Sequence, residues 1–165
     1  MKRIGVLSSG GDTPGMNAAI RAVVKVAAEY GIEVFGIRHG YRGLIEGDMR
    51  ELRTDEVRNI AHKGGTILKT ARCKEFMTEE GQRRALLTAQ AFDLEGIIAI
   101  GGDGTMHGAG ALSKMGIPTI TLPGTIDNDL AYTDFSIGFD TAVNGVLTEL
   151  IKVRDTMVSH DRIGI

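Results

Sequence analysis

Apolar residues fall along the chain in two alternating rhythms. Short β-branched runs occur at Ile4–Leu7, Glu33–Ile37, Gly96–Ile100 and Ile117–Leu122, each closed by glycine or a turn residue, and such runs read as buried strands. Between them the apolar positions recur at three- and four-residue steps, the period of a helix. Helices are therefore expected from Met16 to about Tyr30, from Thr78 to near Phe92, from the GGDGT segment to about Met115, and from about Asp140 to Val158. The last places Val143, Val146, Leu147, Leu150 and Ile151 on one face. Thr54 with Asp55 and Glu56 reads as a cap opening a short helix to about Ala61, and Thr78 with Glu79 and Glu80 as a second cap. HGYRGLIEGD, residues 39–48, reads as a glycine-punctuated loop, and 63–76 as irregular. Arg162–Ile165 reads as the start of a further strand, so the chain is expected to be a piece of something longer. Strand-helix alternation predicts an α/β fold: a three-layer α/β/α, Rossmann-like unit with a mostly parallel sheet.

Composition narrows the class. The 165 residues fit one domain, with 42% hydrophobic and 24% charged residues, as in ordinary globular proteins. A net charge of −2 with no basic block speaks against nucleic acid as partner. No apolar run approaches the ~20 residues of a membrane span, and MKRIGVLSSGG lacks a signal-peptide core. One cysteine, Cys73, excludes an intrachain disulfide and suits a reducing cytoplasm. His39, His62, His107 and His160 show no zinc spacing and are assigned to structure or surface. Glycine is the outlier: 23 residues, about twice the usual ~7% share.

The glycines cluster where chemistry is expected. Gly10-Gly11-Asp12 follows the first strand, and bare amides beside a helix N-terminus attract anions. It is not a P-loop, because no Gly-Lys-Ser/Thr follows at the required spacing. Gly101-Gly102-Asp103-Gly104-Thr105 follows the strongest strand, and it departs from the dinucleotide fingerprint because the third glycine position falls on His107. Pro123-Gly124-Thr125-Ile126-Asp127-Asn128-Asp129 carries two carboxylates two residues apart. On spacing alone this last loop fits either an Asx-rich turn or a base with a charge-positioning partner. An acidic residue among glycines at a strand tip suits a phosphate-bound Mg²⁺, which takes one or two carboxylates with waters and phosphate oxygens.

SSGGDTPGMNAAIR, KGGTILKTARC, GGDGT, PGTIDND and the downstream IGFDTA, in this order and spacing, closely resemble the N-terminal half of ATP-dependent 6-phosphofructokinases of bacterial type. The resemblance runs over the whole chain. It implies one nucleotide-binding domain over 1–165, with the sugar-phosphate half absent from this chain. It implies transfer of the γ-phosphoryl group of ATP to the C1 hydroxyl of fructose 6-phosphate, assisted by Mg²⁺, in glycolysis. It also implies a homotetramer at full length, located in the cytoplasm. Residue by residue, Asp127 would be the general base, worth about 10²–10⁴-fold, and Asp129 would support the base or the metal by charge. Asp103 would hold Mg²⁺, whose charge two neighbouring carboxylates need if both are to stay useful. Gly11 would offer its N–H to the terminal phosphate, and Arg72 would spread charge over the transferring group. Cys73 would contact nucleotide through its backbone, Tyr41 would stack on adenine, and Gly102, Gly104, Thr105 and Gly108 would border the nucleotide. Thr125 and Ile126 would lie at the substrate, with Thr125 bonded to the phosphate. Arg162 would reach the sugar 6-phosphate from a neighbouring subunit. Taken singly, Arg72 also fits a solvated surface arginine, Tyr41 a loop aromatic and Arg162 a strand-edge charge.

Two glycines bear on the donor. The related pyrophosphate-using enzymes carry Asp and Lys where this chain has Gly104 and Gly124. An Asp at 104 would fill and repel the space for an α-phosphate, so ATP is expected. Arg21 and Lys25, four apart on the first helix, and Arg154 on the last match positions that bind ADP or phosphoenolpyruvate as effector in the family. Thr54 and Asn59 depart from the usual arginine and aspartate there. Two other classes remain: an NAD or diacylglycerol kinase sharing GGDGT, and a nucleotide-binding fragment without turnover.

Overall fold

The structure, a computed structural model, describes residues 2–164. Its centre is a five-stranded sheet built from β1 (Arg3–Ser8), β2 (Glu33–Ile37), β3 (Met49–Glu51), β4 (Gly96–Gly101) and β5 (Thr119–Pro123), in the order β3-β2-β1-β4-β5. β1 pairs in parallel with β2 and β4, and β4 with β5; β3 alone runs antiparallel, at the edge. The helices are α1 (Met16–Glu29), α2 (Tyr41–Glu46), α3 (Glu79–Ala91), α4 (Asp103–Lys114) and α5 (Phe139–Ser159).

Strand alternation explains the layering. Val6 and Leu7, adjacent in β1, are fully buried in different cores, as the period of two requires. Leu7, Ile37, Ile97 and Ala99 meet α2, α3 and α4 through Leu44, Ala85, Ala89 and Leu112 on one face. Val6, Val34 and Ile100 meet Met16, Ile20 and Val24 of α1 on the other, with Leu52, Val57, Ile60 and Leu68 extending that core. The sheet is thus covered on both sides, the arrangement that parallel strands demand. Gly36 shows how close the cover lies: a Cβ there would sit 2.6 Å from Leu52 Cδ1.

Several elements depart from the sequence reading. Residues 39–48, expected as a loop, form α2 and lead into β3. Tyr41, Leu44 and Ile45 are buried, and Gly43 presses on the Arg38 carbonyl, so packing imposes a helix that glycines at 40, 43 and 47 disguise. The helix expected from Thr54 to Ala61 is instead a run of turns with bonds from Glu56 N to Arg53 O and from Arg58 N to Asp55 O. The Glu56 carboxylate accepts from Arg53 N at 3.0 Å, a local bond that satisfies the backbone without a helix. Thr78 caps α3 as expected, its hydroxyl accepting from Gly81 N at 3.1 Å. Residues 162–164 form no strand; Arg162 N returns to Met157 O, and Ile165 lies outside the described residues. α5 has its expected apolar face, yet buries none of its residues: Val146 is 59% exposed and Leu150 59%. Among the described residues, no helix is long and apolar enough to cross a membrane.

Leu7→Ala, at a fully buried position of the central strand, should lower the unfolding free energy by about 2–5 kcal/mol. Val26→Ala, on the exposed side of α1, should change it by no more than about 0.5 kcal/mol. Urea titration with an unchanged slope for both variants is the check.

Candidate active site

The switch in connection direction falls between β1 and β4: the chain leaves β1 toward β2 on one side and leaves β4 toward β5 on the other. In open parallel sheets the crevice beyond the carboxyl ends at such a point receives ligands. Here it opens into a cleft of about 1060 Å³. Gly10, Gly11 and Asp12 come to it from the β1–α1 loop, Gly102 to Thr105 from the start of α4, Gly124 to Asp127 and Asp129 from the loop after β5, and Arg72 with Cys73 from the irregular segment.

Hydrogen bonds hold these loops in register. Ser9 N donates to Ile100 O at 3.1 Å, and the Thr105 hydroxyl donates to Ser9 O at 3.0 Å. Gly124 N donates to Gly101 O at 2.9 Å. The Thr70 hydroxyl donates to Gly10 O, and Ser8 Oγ meets Thr66 Oγ1 at 2.7 Å and Lys69 O at 3.2 Å. Asn17, 1% exposed, donates to Lys63 O and Gly64 O and accepts from Ile67 N, so α1 clamps the segment that delivers Arg72. Among the described residues, the amides of Gly10 and Gly11 donate to no protein acceptor. With the N-terminus of α4 they form a field of bare N–H groups suited to an anion.

Every residue expected at the nucleotide or at the reacting groups borders this cleft: Gly11, Tyr41, Arg72, Cys73, Gly102, Asp103, Gly104, Thr105, Gly108, Thr125, Ile126, Asp127 and Asp129. Asp103, Asp127, Asp129 and Arg72 are exposed, and Arg72 has no ion pair among the described residues. Asp127 N donates to Thr125 Oγ1 at 3.1 Å, leaving the hydroxyl hydrogen of Thr125 free for another acceptor. A Cβ at Gly11 or Gly104 would meet nothing within 4 Å.

Two assignments change. Tyr41 is only 4% exposed, stacks on Phe76 with ring centroids 4.1 Å apart and 8° between planes, and donates its hydroxyl to Thr105 O at 2.6 Å. One ring face is taken by Phe76 and the hydroxyl by α4, so Tyr41 supports α4 at the cleft wall, and burial pushes its hydroxyl well above the ordinary tyrosine pKa. Gly108 follows from this, because a Cβ there would lie 2.6 Å from Tyr41 Cε2. The glycine makes room for Tyr41, whereas Gly104 keeps open space in the cleft itself.

Other residues stand apart from the cleft. Arg162 is exposed beyond α5, Arg21 and Lys25 lie on α1, and Arg154 on α5 pairs with Asp155 at 2.7 Å. His107, assigned to structure or surface, borders the cleft with Nδ1 3.3 Å from Asp103 Oδ2. Its four-residue spacing from Asp103 on a helix was the available signal. Asp12, which belongs to the Gly10-Gly11-Asp12 loop but carries no assigned role, also lines the cleft, as do Lys74 and Gln82, which no motif marks.

Fold and cleft together describe an α/β domain that gathers bare amides, carboxylates and an arginine in one crevice. The family model for phosphofructokinase matches residues 3–165, and the chain belongs to that family. An ATP-dependent 6-phosphofructokinase of Clostridium botulinum (strain Hall) is 57% identical over all 165 residues, which span 52% of that protein. One from Shouchella clausii is 58% identical over 162 residues, 98% of this chain and 51% of the relative. The chain therefore spans about half the length of these curated relatives. Among solved structures, phosphofructokinase from Saccharomyces cerevisiae superposes with a TM-score of 0.89 at 32% identity, over 97% of this chain and 25% of that one. A pyrophosphate-dependent phosphofructokinase from Marinobacter aquaeolei shares the fold, with a TM-score of 0.85 at 24% identity over 96% of this chain and 42% of that one.

Gly108→Ala should destabilise the fold by about 1–3 kcal/mol by overpacking. The penalty should shrink when Tyr41→Ser removes the ring, a coupling that a double-mutant cycle measures. Gly104→Ala should be neutral or stabilising by up to about 1 kcal/mol, since alanine favours the helix and the site is open.

Proposed function

We propose that the cleft holds ATP and that this chain is the nucleotide-binding half of an enzyme phosphorylating fructose 6-phosphate at its C1 hydroxyl. The observation that carries the reading is the convergence of Gly11, Arg72, Asp103, Thr125 and Asp127 on one cleft at the switch point of the sheet. In the reaction, the C1 oxygen bonds to the γ-phosphorus and the bond from that phosphorus to the ADP oxygen breaks. The hydroxyl proton passes to the Asp127 carboxylate, yielding fructose 1,6-bisphosphate and ADP. The Gly11 N–H and the Thr125 hydroxyl donate to the transferring phosphoryl oxygens. Arg72 spreads its positive charge over that group, which has little covalent chemistry to help it and depends on positioning and charge.

Asp103 fits a magnesium site of the open kind. Its carboxylate is exposed in the first turn of α4, inside the cleft. Among the described residues, no three His, Cys, Asp or Glu side chains gather into a closed cage. Mg²⁺ is commonly held in this way, by one or two carboxylates with phosphate oxygens and water. Bound there, it would neutralise charge on the phosphates, with Asp129 adding negative charge nearby.

The fold is common to ATP-dependent and pyrophosphate-dependent enzymes, so the donor must be read from residues. The open space at Gly104 admits an α-phosphate, and Gly124 supplies none of the positive charge that the lysine of the pyrophosphate-using enzymes would bring. Both support ATP, as do the names of the relatives. Arg162 lies away from the cleft, which agrees with service to the sugar phosphate of a neighbouring copy in a homo-oligomer, a tetramer at full length. Arg21, Lys25 and Arg154 form the proposed site for an ADP or phosphoenolpyruvate effector. The Nε of Arg21 is buried with no hydrogen-bond partner among the described residues, which leaves it available to an anion or a partner subunit. The enzyme works in the cytoplasm, and the 165-residue chain alone binds nucleotide without turning it over.

Asp127→Ser, in the protein at the length of its relatives, should lower kcat by about 10²–10⁴-fold with ATP affinity nearly unchanged. Near-normal turnover would remove Asp127 as base. Gly104→Asp should retain the fold and weaken ATP more than pyrophosphate, measured as the ratio of kcat/KM for the two donors. An unchanged effector response after Arg21→Ala and Arg154→Ala would dispose of the regulatory site.

A further inference from the structure

The segment from Gly124 to Gly138, between β5 and α5, leaves and returns at the same place. Gly124 and Ile137 form a parallel bridge, and Ile137 N donates to Pro123 O at 2.8 Å. Inside it, one side chain ties the excursion together. Asn128 sits between Asp127 and Asp129 with φ at 49°, a left-handed conformation that Asn accepts more readily than most residues. Its Oδ1 accepts from Ser136 N at 2.8 Å and its Nδ2 donates to Asp134 O at 3.2 Å. Ser136, 6% exposed, completes the tie by donating its hydroxyl to Thr125 O at 2.5 Å. Thr125 in turn accepts from Asp127 N.

Both carboxylates border the cleft, and Asn128 does not. Asp127 and Asp129 are exposed, with no side-chain partner among the described residues to orient them. Their aim is therefore set by the backbone, and the backbone is set by Asn128 and Ser136. A misplacement of about 1 Å in a reacting group can cost about 10²-fold in rate.

We propose that Asn128 is a positioning residue for phosphoryl transfer, with Ser136 as its anchor: the amide holds the turn that presents Asp127 and Asp129 to the cleft and touches no substrate itself. The inference rests on the reading of Asp127 as base.

The test uses the protein at the length of its relatives, with fructose 6-phosphate and MgATP. Asn128→Gly keeps the left-handed backbone without strain and removes both hydrogen bonds. It should lower kcat by about 10²-fold while the Kd for a fluorescent ATP analogue stays within about threefold. Asn128→Asp, which retains the acceptor for Ser136 N, should recover part of the rate. Ser136→Ala should lower kcat by about 10-fold, and the double variant should lose less than the product of the two losses. A kcat for Asn128→Gly within about twofold of wild type, or a rate loss matched by an equal loss of analogue affinity, would overturn the assignment. Asp127→Ser measured alongside separates the two ideas. If it is inactive while Asn128→Gly is not, only the positioning role falls; if it turns over normally, the base and its positioning residue fall together.

Discussion

The site depends on how tightly the ends of β1 and β4 are drawn together. Ser9 N bonds to Ile100 O, the Thr105 hydroxyl bonds back to Ser9 O, and Gly101 lies between them. A Cβ at Gly101 would stand 2.6 Å from the Ser9 carbonyl and overlap the Thr105 hydroxyl. Only a glycine lets both strands end at the same height, with the first turn of α4 beside the Gly10-Gly11 amides. That constraint makes one cleft of two loops distant in sequence.

The remaining parts of the cleft are joined to that pair. Gly124 N reaches Gly101 O, which fixes the start of the acidic loop, and Thr70 reaches Gly10 O, which fixes the approach to Arg72. Tyr41 supports α4 from below through Thr105 O and the space left by Gly108. The groups that would meet ligand, Arg72, Asp103, Asp127 and Asp129, are exposed, whereas those that hold them in place, Asn17, Tyr41, Thr105 and Ser136, are buried. Buried polar groups are costly unless satisfied, and these have partners; of the four exposed groups only Asp103 has a side-chain partner among the described residues, His107 at 3.3 Å.

The exposed groups were easier to read in the chain than those behind them. GGDGT and PGTIDND stand out as glycine-acid loops through residue types that turns and phosphates favour, whereas the separate roles of Asp103, Asp127 and Thr125 come only with the family resemblance. Tyr41 is placed on adenine only by the family resemblance; in the structure it stacks on Phe76, a contact across 35 positions with no periodicity to announce it. α2 was hidden for a related reason: its glycines argue for a loop, and only burial of Leu44 and Ile45 against the sheet makes it a helix. The apolar stripe of α5 was legible, while its lack of cover among the described residues was not.

By itself the sequence determined β1, β2, β4 and β5 with the helices α1, α3, α4 and α5 between and after them, the two-sided cover of a parallel sheet, and the glycine-acid loops at the strand tips. These follow from local periodicity and from the backbone freedom of glycine, which each segment carries on its own. The tertiary structure alone decided strand order, the cleft at the switch between β1 and β4, the stacking of Tyr41 on Phe76, and the tie through Asn128 and Ser136. Each of those is a contact between segments far apart in the chain, and its energy exists only once the sheet has brought them together.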